Sequence, residues 1–132
     1  MERLQGSIDT KRILIVEDDP ALAKALSDKF AREGLDVLQA KNGEEGILMA
    51  IEQHPHILLL DLLMPKMDGI QMLKELRKDQ WGHEVPVVML TNLESDEKAV
   101  EALEEGAYDF LLKSETKLED VVSIVKTRLG MP

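Results

Sequence analysis

Short apolar segments alternate with longer amphipathic segments along most of the chain. Three of the short segments hold unbroken runs of three or four apolar residues. Such runs are typical of strands that are covered on both faces, as in a parallel sheet. The predicted strands are 12–17, 36–40, 56–61, 86–90 and 109–113.

The intervening segments have apolar residues at helical spacing. In the first of them Leu22, Leu26 and Phe30 form one stripe, and Gly34 follows as a helix stop. Ser95 is a good N-cap for the fourth helix. The helices are predicted within 19–34, 42–54, 67–79, 95–107 and 117–130.

Strict alternation of five strands and five helices predicts an α/β fold, a doubly wound parallel sheet with helices on both faces. No Pro/Gly/Ser-rich linker marks a second domain. We therefore expect one domain over residues 11–130, preceded by a short N-terminal extension, residues 1–10.

The composition narrows the classes of function. The 132 residues carry a formal net charge of −10, which repels phosphate backbones, so we expect no direct nucleic-acid binding. The absence of cysteine excludes disulfides and thiolate metal sites. No apolar run approaches the roughly 18 residues that span a membrane. Because residues 1–10 also lack the apolar stretch of a signal peptide, we expect a cytoplasmic protein that does not contact membranes.

Reactive side chains follow four of the five predicted strands. They are Glu17 and Asp18 after the first strand, Asp61 after the third, Thr91 at the end of the fourth and Lys113 at the end of the fifth. The second strand has none. The strand order 2-1-3-4-5, which leaves the second strand at the edge, brings these side chains to one pocket at the carboxyl ends of the strands.

This set of side chains indicates phosphoryl chemistry. Carboxylates a few ångströms apart repel one another unless their pKa rises or a cation neutralises them, and oxygen ligands on short loops suit Mg²⁺. Lys113 adds a fixed positive charge and Thr91 a hydroxyl, so the pocket suits a tetrahedral dianion. Attack of the Asp61 carboxylate on phosphorus would give an aspartyl phosphate.

Four stretches together resemble the receiver domain of bacterial response regulators, including stand-alone receivers like those of chemotaxis. They are ILIVEDDPAL (13–22), LLLDLLMPKMDGIQML (58–73), VVMLTN (87–92) and GAYDFLLKS (106–114). The resemblance covers roughly residues 11–130, in order, which is far more specific than a lone motif. It implies a flavodoxin-like fold and a switch function in two-component signalling, without independent substrate turnover.

The resemblance assigns roles at the pocket. Asp61 corresponds to the phosphoacceptor, and Lys113 to the lysine that pairs with the phosphoryl group. Thr91 corresponds to the hydroxyl that moves toward that group, and Phe110 to the aromatic residue that then turns inward. The phosphoryl group comes from a sensor histidine kinase or a phosphotransfer protein, and a downstream protein reads the surface of helix 4, strand 5 and helix 5. A homodimer on phosphorylation is also implied.

The resemblance also implies a set of Mg²⁺ ligands. Asp18 and Asp61 correspond to direct carboxylate ligands, and Glu17 acts mainly through water. The backbone carbonyl of Leu63 completes the protein ligands.

Two residues depart from the pattern of the family. Ser114 follows Lys113 where the family usually has a proline, often after a cis bond. Because a cis bond before another residue costs about 3 kcal/mol, we expect a trans bond or an altered loop. Asn92 stands where the family usually has a small residue, which could change access to the phosphoryl group.

Two other functions fit parts of the sequence. An interaction module that is not regulated by phosphorylation would share the fold, although the intact acidic pair argues against it. A phosphatase resembling haloacid dehalogenases also uses Asp, Mg²⁺, Thr and Lys. It normally needs a second aspartate two residues after the nucleophile, and that residue here is Leu63.

Overall fold

A computed structural model describes residues 10–64, 66–92 and 96–132. Strands and α-helices alternate through these residues. The strands are β1 (Arg12–Val16), β2 (Asp36–Ala40), β3 (Ile57–Leu60), β4 (Val87–Thr91) and β5 (Asp109–Leu112). The helices are α1 (Pro20–Arg32), α2 (Gly43–Gln53), α3 (Gly69–Lys78), α4 (Asp96–Glu104) and α5 (Leu118–Arg128). A 3₁₀ turn, Lys113–Glu115, separates β5 from α5.

The five strands form one parallel sheet in the order β2-β1-β3-β4-β5, which confirms the predicted topology. The register aligns the carboxyl ends of the strands. Val16 pairs with Leu60, Leu60 with Met89, and Thr91 with Leu112. The residues that follow β1, β3 and β5 therefore meet at one edge of the sheet.

Each face of the sheet carries its own hydrophobic core, so the unbroken apolar runs were correctly interpreted as strands buried on both sides. Leu14 and Leu58 face the core formed with α2, α3 and α4. Ile13 and Ile57 face the core formed with α1 and α5. All four are fully buried, and burial of such a side chain contributes about 1.5–3 kcal/mol.

Side-chain caps fix the helix starts nearest the predicted pocket. Asp19 is the N-cap of α1, since its Oδ1 accepts a hydrogen bond of 3.0 Å from the amide of Ala21, and Pro20 is the first helical residue. Asn42 caps α2 by accepting 2.8 Å from the amide of Glu45, a cap that the sequence analysis missed. These caps hold both helices close to the strand ends.

Gly34, the predicted helix stop after α1, adopts a φ angle of 90°, which favours glycine. Gly106 and Gly130, which follow α4 and α5, adopt φ angles of 88° and 71°. The predicted N-cap Ser95 lies outside the described residues. None of the helices in the described ranges has the length and apolar character that crossing a membrane requires.

Candidate functional site

Asp61 and Glu17 are buried carboxylates at adjacent strand ends. Each is only 4% exposed. The amide of Asp61 donates to the carbonyl of Val16 at 3.0 Å, and the amide of Glu17 donates to the carbonyl of Ala40 at 3.0 Å. Because these bonds continue the sheet ladder, the backbone that carries both carboxylates is as fixed as the strands.

Asp18 completes an acidic cluster with Glu17 and Asp61. One carboxylate oxygen from each residue lies within 4.8 Å of the others, and Asp18 is the exposed member. Hard cations with oxygen ligands, Mg²⁺ among them, suit such a donor set. The three acids that the sequence analysis grouped as a metal site are therefore together, and their chemistry fits Mg²⁺.

Lys113 bridges two of these acids. Its Nζ lies 2.9 Å from Oε1 of Glu17 and 3.2 Å from Oδ2 of Asp61. At full ionisation, three carboxylates and one ammonium leave an excess of two negative charges. This excess equals the charge of one divalent cation.

The protonation equilibria of the ion pair reflect its burial. Burial lowers the pKa of Lys113, but its hydrogen bond to Glu17 and the charge of Asp61 outweigh this and raise the pKa above its usual value. Burial raises the pKa of Glu17, and the hydrogen bond from Lys113 offsets this only in part. Lys113 therefore remains a cation in the pocket.

Thr91 and Phe110 lie on the two strands beside the pocket. Thr91 is fully buried at the end of β4, and it pairs in register with Leu112, the residue before Lys113. Phe110 is half-buried, pairs with Met89 and packs against the core under α3 and α4. Their role as switch residues remains a prediction.

Leu63 contacts the phosphoacceptor candidate through its backbone. Its amide donates to Oδ1 of Asp61 at 3.3 Å, while its side chain is 51% exposed. The role of its carbonyl as a metal ligand remains a prediction.

Gly69 is the first residue of α3 and directly follows the loop that begins at Asp61. A Cβ at this position would collide with the carbonyl oxygen of Asp61 and lie 2.8 Å from Cα of Leu62. Glycine therefore lets α3 press against the loop that orients Asp61. The Asp-Gly pair at the start of a helix was the signal that could have identified this contact.

The two departures from the family pattern leave the pocket assembled. The Lys113–Ser114 bond is trans, and Ser114 lies in the 3₁₀ turn after β5. Lys113 nevertheless reaches both Glu17 and Asp61. Asn92, which directly follows Thr91, is exposed.

Comparison with known proteins places this geometry in a family. A model of the response regulator receiver domain matches residues 13–126. The chain is 38% identical over 102 residues to the DNA-binding dual master transcriptional regulator RpaA of Synechocystis, which covers 77% of this chain and 42% of that protein. The chain spans 22–53% of the length of such curated relatives.

Two solved structures extend the comparison. A CheY-like receiver domain protein from Methanospirillum hungatei has a TM-score of 0.86 at 28% identity, over 92% of this chain and 94% of that chain. CheY of Borrelia burgdorferi, in a complex with CheX, BeF₃ and Mg²⁺, has a TM-score of 0.82 at 28% identity, over 90% and 89%. With the family model matching most of its length, the chain belongs to the family of response regulator receiver domains.

Proposed function

We propose that this receiver domain is a cytoplasmic phosphorylation switch, in which Asp61 accepts a phosphoryl group from the phosphohistidine of a sensor histidine kinase or phosphotransfer protein. Receiver domains are signalling switches of two-component systems, and in general are not enzymes with substrate turnover. One observation carries the proposal. Nζ of Lys113 lies 3.2 Å from Oδ2 of Asp61 at the strand ends, in the pocket that also holds the Glu17 and Asp18 carboxylates.

Each residue of the pocket has its own role in the phosphoryl transfer. An Asp61 carboxylate oxygen forms a bond to phosphorus as the P–N bond to the donor imidazole breaks, and that nitrogen keeps the electron pair. Lys113 neutralises the charge on the phosphoryl oxygens, and Thr91 supplies a hydroxyl donor. Asp18, Asp61 and the Leu63 carbonyl would hold Mg²⁺, with Glu17 acting through water, and the ion would supply further charge neutralisation.

The signal then passes through β4 and β5. Attraction of Thr91 to the phosphoryl group vacates space, and Phe110, on the neighbouring strand, turns into it. The surface of α4, β5 and α5 changes, and a downstream protein or a second copy of the chain binds it. This is a shift between two packings of the domain, so phosphorylation must stabilise one packing more than the other. The complex of the Borrelia protein with CheX, BeF₃ and Mg²⁺ supports the binding of a protein partner.

The test is phosphotransfer to the full chain. Wild type and Asp61→Asn are incubated with Mg²⁺ and either a phosphorylated histidine kinase or a radiolabelled acyl phosphate. We expect label on wild type and none on Asp61→Asn, whereas Asp28→Asn, at an exposed acid of α1, is labelled like wild type. Equal labelling of Asp61→Asn would refute the assignment of the phosphoacceptor.

The same assay separates the alternatives. Continuous release of phosphate from a generic ester would favour a phosphatase. A wild type that neither binds Mg²⁺ nor takes up label would favour an interaction module that is independent of phosphorylation.

A further inference from the structure

Helix α4 exposes apolar side chains that no described residue covers. Val100 is 54% exposed and Leu103 is 51% exposed. An open groove of about 620 Å³ lies along α4. Its lining residues are Asp96, Glu97, Val100, Glu101 and Glu104. We name these five residues and Leu103 the α4 face.

The α4 face is acidic around its apolar centre, and one of its carboxylates is neutralised. Glu101 forms ion pairs with Lys74 of α3 at 2.7 Å and with Lys98 at 3.4 Å, and the hydrogen bond from Lys74 is the main reason that its pKa is lowered. Asp96 and Glu97 form no ion pair with another described residue, and the same holds for Glu104. Three carboxylates therefore remain for a partner.

The cations of neighbouring elements are engaged elsewhere. Arg128 of α5 pairs with Asp109 at 3.0 Å and lies 5.0 Å from the ring centre of Tyr108. Arg77 of α3 donates to backbone carbonyls, including that of Glu105 at 2.6 Å. These side chains do not neutralise the open carboxylates of the α4 face.

We propose that the α4 face binds a cationic amphipathic helix of a partner protein. This proposal rests on the proposed function, since α4 is part of the surface through which the phosphorylated domain would signal. Apolar side chains of the partner cover Val100 and Leu103, in the manner of a helix in a groove. Asp96 and Glu104 are eight residues apart, or about 12 Å along the helix axis. The partner therefore carries Lys or Arg about two turns apart, on either side of its apolar residues.

Charge selects against other occupants. A two-fold contact between two α4 faces would bring Asp96, Glu97 and Glu104 of one copy toward the same residues of the other. The net charge of −10 also repels nucleic acids and anionic membranes. A cationic helix gains from both the open carboxylates and the apolar centre.

The test uses synthetic peptide helices of about four turns, with two leucines flanked by lysines two turns apart, and a matched peptide with glutamates in place of the lysines. Each is titrated with the full chain at about 0.1 M salt, with and without an acyl phosphate donor and Mg²⁺. We expect the lysine peptide to bind at least about tenfold more tightly than the glutamate peptide. Equal binding of the two peptides would overturn the proposal.

Matched variants locate the binding. The variant Glu97→Gln/Val100→Ser/Glu104→Gln removes two charges and one apolar side chain from the α4 face. The control Glu44→Gln/Leu48→Ser/Glu52→Gln makes the same change on exposed positions of α2, where Leu48 is 73% exposed. We expect about tenfold weaker peptide binding for the first variant only. If both variants weakened peptide binding equally, the effect would come from net charge and not from the α4 face, and the proposal would be overturned.

Controls separate this proposal from the proposed function. Uptake of label at Asp61 confirms that both variants are folded and active, and sedimentation of the labelled chain measures self-association. Self-association that the α4 variant abolishes would overturn the proposal in favour of a second copy. If the chain binds the lysine peptide but takes up no label, the result counts against the proposed function and still supports a cationic partner helix.

Discussion

The ammonium of Lys113 and the carboxylate of Glu17 form a buried ion pair of 2.9 Å, although β5 and β1 are not neighbours in the sheet. Strands β3 and β4 lie between them, and Asp61, at the end of β3, accepts a second hydrogen bond of 3.2 Å from the same ammonium. Lys113, directly after β5, therefore ties together the ends of β1 and β3, whose carboxylates would otherwise repel each other.

Replacing Lys113 should destabilise the domain. Lys113→Met leaves the carboxylates of Glu17 and Asp61 buried without their cation, and we expect a loss of about 3 kcal/mol in free energy of unfolding without Mg²⁺. Added Mg²⁺ should restore part of it, since the fold then binds a compensating charge. Urea unfolding followed by Trp81 fluorescence measures both effects. Lys126→Met is the control, because it breaks the more exposed pair with Glu33 and should cost much less. Similar losses for both variants would contradict the bridging role.

Gly69 should be required for the geometry of Asp61. In Gly69→Ala the new Cβ meets the carbonyl of Asp61, so the loop or α3 must shift, and we expect a loss of about 2 kcal/mol together with slower phosphorylation. Gly34→Ala is the control. Its φ of 90° strains alanine, but nothing lies within 4 Å, so stability should fall by about 1 kcal/mol without slowing phosphorylation. Unfolding curves and initial rates of label uptake distinguish the two, and an unchanged rate in Gly69→Ala would argue against a positioning role.

The phosphorylated state should be long-lived. By resemblance, Leu63 and Leu93 flank the path of the water that hydrolyses the aspartyl phosphate; Leu93 lies outside the described residues. The half-exposed side chain of Leu63, whose amide contacts Asp61, gives that water no hydrogen-bond partner. We expect label to decay faster after Leu63→Asn/Leu93→Asn, measured in a chase without donor. If label decayed faster in wild type than in the variant, the two leucines would not be what slows hydrolysis.

The fold and the proximity of the three acids to Lys113 could be predicted because each depends on a local pattern. The apolar run before Asp61 indicates a strand buried on both faces, and parallel strands place the residues after them at a common edge. The sequence therefore indicated which side chains lie together before any distance was known.

No local pattern in the sequence indicates which side chains of distant segments form direct contacts. The ion pair of Lys113 with Glu17 depends on the length and direction of one side chain across two intervening strands. The stacking of Trp81 on His54, at a centroid distance of 4.4 Å, depends on how two loops meet at the other end of the sheet. Trp81 is partly buried, but its stacking partner could not be inferred from spacing.

Arg77 makes further contacts between distant segments. Its guanidinium donates to the carbonyls of Glu105, Gly82, Val85 and Gly106 at 2.6–3.0 Å, so it joins the α3–β4 loop to the α4–β5 turn. Arg77→Met leaves those carbonyls without a donor, and we expect a loss of about 2–3 kcal/mol.

Arg77→Lys should recover only part of that loss, because one ammonium cannot reproduce the fork of a guanidinium. Arg32→Met, at an exposed position of α1, is the control and should be nearly neutral. Besides unfolding, faster amide exchange at Ala107 in Arg77→Met reports loosening of the α4–β5 turn. Protection equal to wild type would mean that the turn is held by other contacts.

His56 should make stability depend on pH. Partial burial lowers the pKa of its imidazole below 6.5, and the charges of Lys11 and Arg12 lower it further. The neutral ring also accepts a hydrogen bond at Nδ1 from the amide of Arg12 at 3.0 Å, which a protonated ring cannot do. Below a pH of about 6.5 the unfolded chain binds more protons at this residue than the folded chain does, so stability falls as the pH decreases.

The variant His56→Asn isolates this contribution. An asparagine oxygen can accept the Arg12 hydrogen bond but does not titrate, so all other groups contribute equally to wild type and variant. We expect the difference in free energy of unfolding between the two to be constant above a pH of about 6.5 and to shift in favour of the variant as the pH falls toward 5. Urea titrations at closely spaced pH values measure it. Parallel curves over that whole interval would show that His56 has the same proton affinity in the folded and unfolded chain.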